Sequence, residues 1–390
     1  MKAGYARLEI TPGLGDVISG YHEPRISTGV LDELYATAVT FTDGEKTVAA
    51  ISLDILELRK EDTEKIRNLV AEKNGLDSDA ILVHSTHTHT GPEVSGIMFT
   101  PSAEYVNYLF KRIADAVTFA LADMAEARFY TAIGEAKGIS FIRRYVYKDS
   151  DEKVLANTTD PAVAVPQGTP DENVQLVKIT REGKPDIAIV NFQTHPDCIG
   201  GTQFTADFIH FTRLTLEQAL VDEAGGKGAK VIYFNGAQGD TSCHGIFHLK
   251  GGYNRIRHMG RVIAGGILSV YTYAEEVECD KVGYKQIDAI VPAHLNQAEK
   301  ALHVTSLSVG GFGFVGFPGE PYTVIGRRVK EDSAYNLTIT SCNTNGWVSY
   351  IPSREAIPYG GMGVNVNYNP DMEDILVEAA VSLTKELKSN

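Results

Sequence analysis

The sequence predicts an α/β fold in which mixed β-sheets are flanked by helices. Apolar strands alternate with amphipathic helices along the 390 residues, as where a strand over 47–53 precedes a helix over 60–73. Glycine turns at Asp43-Gly44 and Glu182-Gly183 join neighbouring strands as hairpins, so some neighbours are antiparallel. No repeat, linker or composition break interrupts this pattern, and a single domain over residues 1–390 is therefore expected.

Each element is predicted from its periodicity and its ends. Runs of β-branched and apolar residues that stop at Gly, Pro, Asn or Asp predict strands over 6–10, 35–41, 47–53, 81–89, 174–179, 186–192, 229–234, 281–291, 305–317 and 335–340. Apolar residues at helical spacing predict helices over 60–73, 105–124, 207–219, 255–275, 320–329 and 371–387. Between residues 128 and 160 the pattern indicates only short strands and loops.

Composition excludes several classes of protein. The formal charge of −14 argues against a nucleic-acid partner, and no apolar run is long enough to span a membrane. The N-terminal residues lack the apolar core of a signal peptide, so a cytoplasmic protein is expected. The four cysteines are scattered, which indicates neither a disulfide scaffold nor a thiolate zinc site. A small molecule is the expected partner, and the sequence does not indicate an oligomeric state.

The stretch Val83-His84-Ser85-Thr86-His87-Thr88-His89-Thr90-Gly91-Pro92 is the part of the chain most typical of a metal or catalytic site. Side chains alternate along an extended strand, so His87 and His89 are expected to share one face. Two neutral imidazoles at that spacing can bind one divalent ion, for which zinc is suited. The alternative is a group of polar strand-end residues that hydrogen bond to backbone and water.

Two later stretches combine a strand end with a turn. His195 leaves an apolar strand directly before Pro196, and it is either a third imidazole ligand or an ordinary strand-end histidine. The segment 234–242 contains glycines whose backbone N–H groups can approach an anion, and it ends at Ser242, a candidate nucleophile. A structural turn explains that segment equally well.

Two further stretches carry candidate oxygen ligands. Glu320 follows the turn Pro318-Gly319 and is either a metal ligand or a carboxylate at the start of a helix. Tyr350 and Tyr359 lie in a loop-rich region, where half-buried aromatic side chains are the ordinary interpretation.

Taken together, these stretches resemble the neutral/alkaline (non-lysosomal) ceramidase family. The resemblance covers nearly the whole chain and follows the family's order of motifs, although the separate C-terminal β-domain of the longer enzymes is not found, as in a short bacterial-type homologue. The strings that carry it are His87-Thr88-His89-Thr90-Gly91-Pro92, His195, Gly239-Asp240-Thr241-Ser242, Pro318-Gly319-Glu320 and Tyr350-Ile351-Pro352-Ser353-Arg354-Glu355.

The resemblance implies a neutral-ceramidase-like catalytic domain that cleaves an N-acyl bond with metal-activated water and contains Zn²⁺. It also implies a role for each matching residue. The implied zinc ligands are His87, His195, Glu320 and Tyr350, and the implied catalytic groups are His89 (acid/base), Ser242 (active-site serine) and Tyr359 (oxyanion donor).

The loops themselves predict a small, polar substrate rather than ceramide. Their polar side chains, suited to binding hydroxyls or a carboxylate, are Arg143, Arg144, Asn235, Gln238, Asp240, Asn343 and Asn345. Either arginine can clamp a carboxylate with two hydrogen bonds. Cleavage of N-acylsphingosine remains the alternative, and it requires an apolar groove.

Two other functions compete with this one. An amidohydrolase-type barrel also ends a strand in His-x-His, but the predicted hairpins disagree with its regular β/α alternation. A non-catalytic module that binds a metal or ligand on the same scaffold is the second competitor, and it predicts no hydrolysis.

Overall fold

The computed structural model describes residues 1–243 and 252–389, which form two β-sheets covered by helices. The large sheet has nine strands: β1 (Lys2–Glu9), β2 (Tyr35–Thr42), β3 (Thr47–Leu53), β4 (Ile81–Ser85), β5 (Ala125–Glu135), β6 (Asn173–Arg181), β7 (Asp186–Phe192), β8 (Ala229–Asn235) and β9 (Glu275–Val277). Their order is β8-β7-β6-β5-β1-β2-β3-β4, with β9 paired to β5. Most neighbours are antiparallel, but β3 and β4 are parallel, as are β7 and β8.

A second sheet of four strands lies against the first. Its strands are β10 (Val282–Val291), β11 (Lys300–Val309), β12 (Phe312–Gly316) and β13 (Leu337–Ser341), in that order. The main helices are α1 (Lys60–Asn74), α2 (Ala103–Ala122), α3 (Phe208–Ala219), α4 (Gly252–Val270), α5 (Thr323–Asp332) and α6 (Met372–Ser389). None of the helices within these described residues is long and apolar enough to cross a membrane.

Short strand pairs tie the loops together. They are Val17–Ile18 with Arg25–Ile26, Gly29–Val30 with Gln203–Phe204, Phe141–Ile142 with Thr241–Ser242, Tyr145–Tyr147 with Ala164–Pro166, and Glu320–Pro321 with Tyr350–Ile351.

Alternation of side chains along the strands produces four layers. In β2, Ala36 and Ala38 face the core beneath α1 and α2, whereas Val39 and Phe41 face the core between the two sheets. The helices α3 and α4 cover the other half of the large sheet, and α5 and α6 cover the second sheet. Both sheets are therefore covered on both faces, which is why strands such as β3, β4 and β7 are buried almost throughout.

The two edges of the large sheet meet at the end of β4. The backbone N–H of Asn235, at the end of β8, donates to Nε2 of His84 at 3.1 Å. The side-chain amide of Asn235 donates to the carbonyls of Thr86 and Thr194, both at 3.2 Å. These bonds fix the segments that follow β4, β7 and β8 at one place, and all three carry residues of the predicted site.

Most predicted elements are confirmed, including the strands Thr47–Leu53 and Asp186–Phe192 and both hairpins. The single strand predicted over 305–317 is wrong, because Gly310 (φ 56°) turns the chain between β11 and β12. The strand Ala125–Glu135 was expected as short pieces, since its small and charged residues lack a clear alternation. The helix predicted from Glu320 begins only at Thr323.

Candidate metal centre

His87 and His89 lie on a turn, so the prediction that an extended strand presents them on one face is wrong. The strand β4 ends at Ser85, and His87 has a φ of 71°, a left-handed conformation that is unfavourable for a residue with a side chain. Its N–H donates to the carbonyl of Ile55 at 3.0 Å, which holds the turn against the end of β3. Strain at this position, next to a group of histidines, is typical of a functional site.

The turn brings three imidazoles together. The ring centroids of His87, His89 and His195 are 4.9 to 5.0 Å apart, and their candidate ligand nitrogens all lie within 4.8 Å of one another. The closest nitrogens are Nε2 of His89 and Nε2 of His195, at 3.1 Å. This buried group can hold a metal ion, and it includes His89, which the His-x-His spacing suggests as a ligand and the family resemblance assigns to acid/base catalysis.

Backbone carbonyls orient two of the rings. Nδ1 of His87 lies 3.0 Å from the carbonyl of Leu56, and Nδ1 of His89 lies 2.8 Å from the carbonyl of Gly20. A carbonyl only accepts hydrogen bonds, so Nδ1 carries the proton in each ring and Nε2 keeps its lone pair. A Cβ at Gly20 would lie 2.7 Å from Cα of His89, so only glycine fits there.

A carboxylate completes the group from the opposite side. Glu320–Pro321 and Tyr350–Ile351 form a short parallel pair in which Glu320 is the direct partner of Tyr350. Oε2 of Glu320 lies 3.4 Å from Nε2 of His87 and 3.8 Å from Nε2 of His195. Its Oε1 accepts a hydrogen bond from Nε1 of Trp347 at 3.1 Å, which orients the carboxylate.

These separations fit the ligands of one metal ion. Two ligand atoms at about 2.0–2.1 Å from a tetrahedral zinc lie about 3.4 Å apart, close to the distances of 3.1, 3.4 and 3.8 Å found here. Among the described residues, Oε2 of Glu320 is a buried oxygen without a hydrogen-bond donor, and it faces the imidazole nitrogens. A cation would satisfy that oxygen and the imidazole lone pairs together.

The protonation of the group favours a cation as well. Burial, together with the charge on His87, lowers the pKa of His89, and burial with Arg143 lowers that of His195, so both rings are neutral at pH 7. Burial alone would lower the pKa of His87, but the Glu320 carboxylate outweighs it and raises the pKa. Neutral imidazole is the form that binds a metal, so His89 and His195 are ready to bind one, and His87 releases its proton when it does.

His87 and His89 line a cavity of about 540 Å³, whereas His195 is not among the described residues of its lining. Its wall is partly apolar and partly polar, and the lining residues are Gly20, His22, Leu56, Glu57, His87, His89, Ile97, Met98, Phe99, Glu320, Trp347, Ser349, Tyr350 and Gly363. Sequence reasoning missed Glu57 and Trp347. Glu57 lies just beyond the end of β3, the parallel neighbour of the histidine strand, and that adjacency was the signal available for it.

The two arginines expected to bind substrate lie outside this lining. The Arg144 guanidinium, 1% exposed, donates to Oε1 of Gln167 and to the carbonyls of Ala356 and Gly360 at 2.9 to 3.2 Å. Arg143 donates to the carbonyl of Gly239 at 2.6 Å and lies 5.0 Å from the ring centroid of Tyr350. Arg144 therefore anchors a loop, and Arg143 packs against a residue of the cavity wall.

The other predicted binding residues are also buried. Asn235 uses its amide to join strand ends, and Asp240 accepts hydrogen bonds from the N–H and hydroxyl of Thr323 at the start of α5. The side chain of Gln238 is buried and makes no hydrogen bond to the described residues. None of these three is among the described residues that line the cavity.

The candidate catalytic residues Ser242 and Tyr359 lie on short elements of the loops. Ser242 is buried on a two-residue strand paired with Phe141, and Tyr359 ends a short turn near Lys153, whose Nζ is 5.3 Å from its ring centroid. The described residues that line the cavity include neither of them.

The fold as a whole has known structural neighbours. A neutral ceramidase from Pseudomonas aeruginosa superposes with a TM-score of 0.78 at 15% sequence identity, over 99% of this chain and 75% of that one. The chain has the neutral ceramidase fold. A ceramidase complexed with C2 gives the same score and identity, over 100% of this chain and 76% of that one.

The fold confirms the family resemblance that the sequence motifs carry, whereas comparison of the whole sequence finds no relative. The sequence matches no family model and no curated protein. At 15% identity the structural likeness establishes the fold, and the chemistry has to be argued from the residues that the fold brings together.

The hydrogen bond from Trp347 to Glu320 gives a direct test of the metal centre. We expect Trp347→Phe to weaken zinc binding by about 10-fold to 100-fold, because the carboxylate loses the donor that orients it. The measurement is a titration against a competing chelator. Trp347 is the sole tryptophan, so its fluorescence should also respond to zinc in the unmodified protein.

The matched control is the metal-free melting temperature, which should stay close to that of the unmodified protein because the phenyl ring preserves most of the packing. Equal zinc affinity in the two proteins would show that Glu320 does not bind the ion.

Proposed function

We propose that the chain is a zinc-dependent hydrolase that cleaves an N-acyl (amide) or related bond in a small, polar substrate, with residues 1–390 forming one catalytic domain. The observation that carries this proposal is the convergence of three imidazoles and the Glu320 carboxylate, of which His87, His89 and Glu320 line a cavity. A purely structural metal site would be closed off from such a cavity, whereas a catalytic one needs access for water and substrate.

The donor set favours zinc. We propose His87, His195 and Glu320 as ligands, as the resemblance implies, and the 3.1 Å between His89 and His195 supports His89 as a third imidazole ligand. Imidazole with one carboxylate is typical of catalytic zinc. Tyr350, the remaining ligand that the resemblance implies, stays a prediction.

When bound, zinc would act as a Lewis acid toward the scissile carbonyl and the attacking water. The chain's own residues would position the reactants. Burial and the Glu320 carboxylate raise the pKa of Tyr350, so without a cation its phenol is neutral and can donate a hydrogen bond to a substrate oxygen. Arg143, packed against that ring, keeps the phenol in place. A donor held at the developing oxyanion lowers the barrier of acyl transfer.

True ceramidase activity is the second candidate. The apolar part of the wall favours it, since Ile97, Met98, Phe99 and Trp347 would suit an alkyl chain, and both structural neighbours bear the name ceramidase. The cavity volume and the buried carboxylate in its wall favour a smaller and more polar compound.

A comparison of substrates separates the two candidates. We expect the zinc-loaded protein to hydrolyse short N-acyl compounds with a higher kcat/KM than a long-chain ceramide in detergent, and chelation of the metal to abolish the activity. Efficient ceramide cleavage with the short compounds inert would contradict the proposed substrate. Metal binding without any hydrolysis would favour the non-catalytic module.

The position of Ser242 predicts that water is the attacking group. Because the described residues that line the cavity do not include Ser242, we expect Ser242→Ala to keep kcat within about tenfold, or 1.4 kcal/mol of barrier. Single-turnover kinetics would check this. A larger loss with unchanged zinc content, or an acyl-enzyme that accumulates in a burst, would assign the nucleophile to Ser242.

A further inference from the structure

The cavity wall carries acidic side chains, whereas the sequence suggests a basic site with Arg143 and Arg144. Among the described residues that line it, the ionisable groups other than histidine and tyrosine are two carboxylates, Glu57 and Glu320, and no lysine or arginine is present. Glu320 points at the histidines, as described above. Glu57 has no part in the proposed chemistry.

Glu57 offers a carboxylate oxygen to the cavity. Its side chain is 3% exposed, and its carboxylate accepts one hydrogen bond within the described part of the chain, from the Ser95 hydroxyl to Oε1 at 3.2 Å. Oε2 has no donor among the described residues and is not one of the fully buried unpaired atoms, so it remains accessible from the cavity. Such a carboxylate oxygen can accept a hydrogen bond from a group that enters the cavity.

A neighbouring carboxylate, that of Glu93, accepts hydrogen bonds at both of its oxygens. Glu93 is equally buried, but its Oε1 accepts from the Ser95 hydroxyl and the Gly96 N–H, and its Oε2 accepts from the Ser19 hydroxyl, each at 2.9 Å. Glu93 does not line the cavity. The shortage of donors is specific to the carboxylate that faces the cavity, which indicates a ligand donor.

The two arginines that the sequence assigns to the substrate, Arg143 and Arg144, contact other groups. The Arg144 guanidinium is buried among loop carbonyls, and Arg143 donates to Gly239 and packs on Tyr350. Both are thus poorly placed to clamp an anionic substrate. The net charge of −14 adds a long-range attraction for cations.

We propose that Glu57 determines substrate specificity by binding a protonated amine that the substrate carries close to the scissile bond. This inference rests on the proposed hydrolase function and names its substrate class, a cationic N-acyl compound. Since Glu57, His87 and His89 line one cavity, a substrate held at the histidines can place an ammonium group against the Glu57 carboxylate. The aromatic rings of Trp347 and Phe99 in the wall are suited to a cation as well.

The test uses isosteric substrates with the zinc-loaded full chain. Alanyl, lactoyl and propionyl p-nitroanilides place an ammonium, a hydroxyl or a hydrogen on the acyl side. N-propionyl derivatives of ethylenediamine, ethanolamine and propylamine place an ammonium, a hydroxyl or a methyl group on the amine side. We expect the ammonium member of one series to exceed its uncharged isosteres at least tenfold in kcat/KM, and Glu57→Gln to reduce that ratio to within about threefold.

A matched control and a binding measurement keep this inference separate from the hydrolase proposal. Glu93→Gln, which alters a buried carboxylate outside the cavity lining, should leave the ratio unchanged. Calorimetric titration of alaninamide, lactamide and propionamide reports charge preference even if no substrate is cleaved, and tighter binding of alaninamide that Glu57→Gln abolishes would support the role of Glu57.

Two outcomes would overturn the role of Glu57. One is preference for the uncharged compounds in both hydrolysis and binding, and the other is a preference for ammonium that survives in Glu57→Gln. If Glu57→Gln instead weakened zinc binding and left the ratio intact, Glu57 would act only on the metal. Absence of zinc from the unmodified protein would refute the hydrolase proposal. The calorimetric titrations would still show whether Glu57 prefers the charged compound.

Discussion

The constraint on which the site depends is the convergence of unpaired lone pairs at one buried point. The Nε2 atoms of His87, His89 and His195 meet Oε2 of Glu320, an oxygen that accepts no hydrogen bond from the described residues. Buried acceptors crowded together repel one another and lose water, so the arrangement is unfavourable by itself. A divalent cation turns the same arrangement into a favourable one, and its binding free energy would then contribute to folding.

The fold meets this constraint through strand ends. The segments after β4 and β7 supply the histidines, the end of β8 ties them together through Asn235, and a two-residue parallel pair delivers Glu320. The left-handed turn at His87 costs backbone energy, which the surrounding hydrogen bonds offset. Long-range pairing between elements distant in sequence thus sets the positions of the candidate ligands.

Much of this organisation could be predicted from the sequence, and the failures have physical causes. Hairpins at Asp43-Gly44 and Glu182-Gly183 follow from local turn chemistry, so they were predicted correctly. The turn at His87 could not be, because a histidine with a positive φ is imposed by the end of a neighbouring strand and not by its own sequence. The periodic pattern of side chains is the same whether this strand continues to His89 or ends at Ser85.

The metal ligands could be predicted from the sequence only in part. Residue types and order indicated His87, His195 and Glu320, whereas Trp347 and Glu57 reach the site only through the tertiary fold. For Arg143 and Arg144 the error was the opposite one, a site role predicted for residues that lie outside the site. A basic pair in a loop suggests a clamp for a carboxylate, but both guanidinium groups donate to backbone carbonyls.

The central claim is that His87, His89 and His195 bind one zinc ion together. X-ray absorption at the zinc edge tests it most directly, since imidazole rings give a characteristic multiple-scattering pattern whose amplitude reports their number. We expect three imidazoles with nitrogen at about 2.0–2.1 Å, and one imidazole fewer in His89→Ala. A spectrum without imidazole scattering, or one that His89→Ala leaves unchanged, would contradict the account.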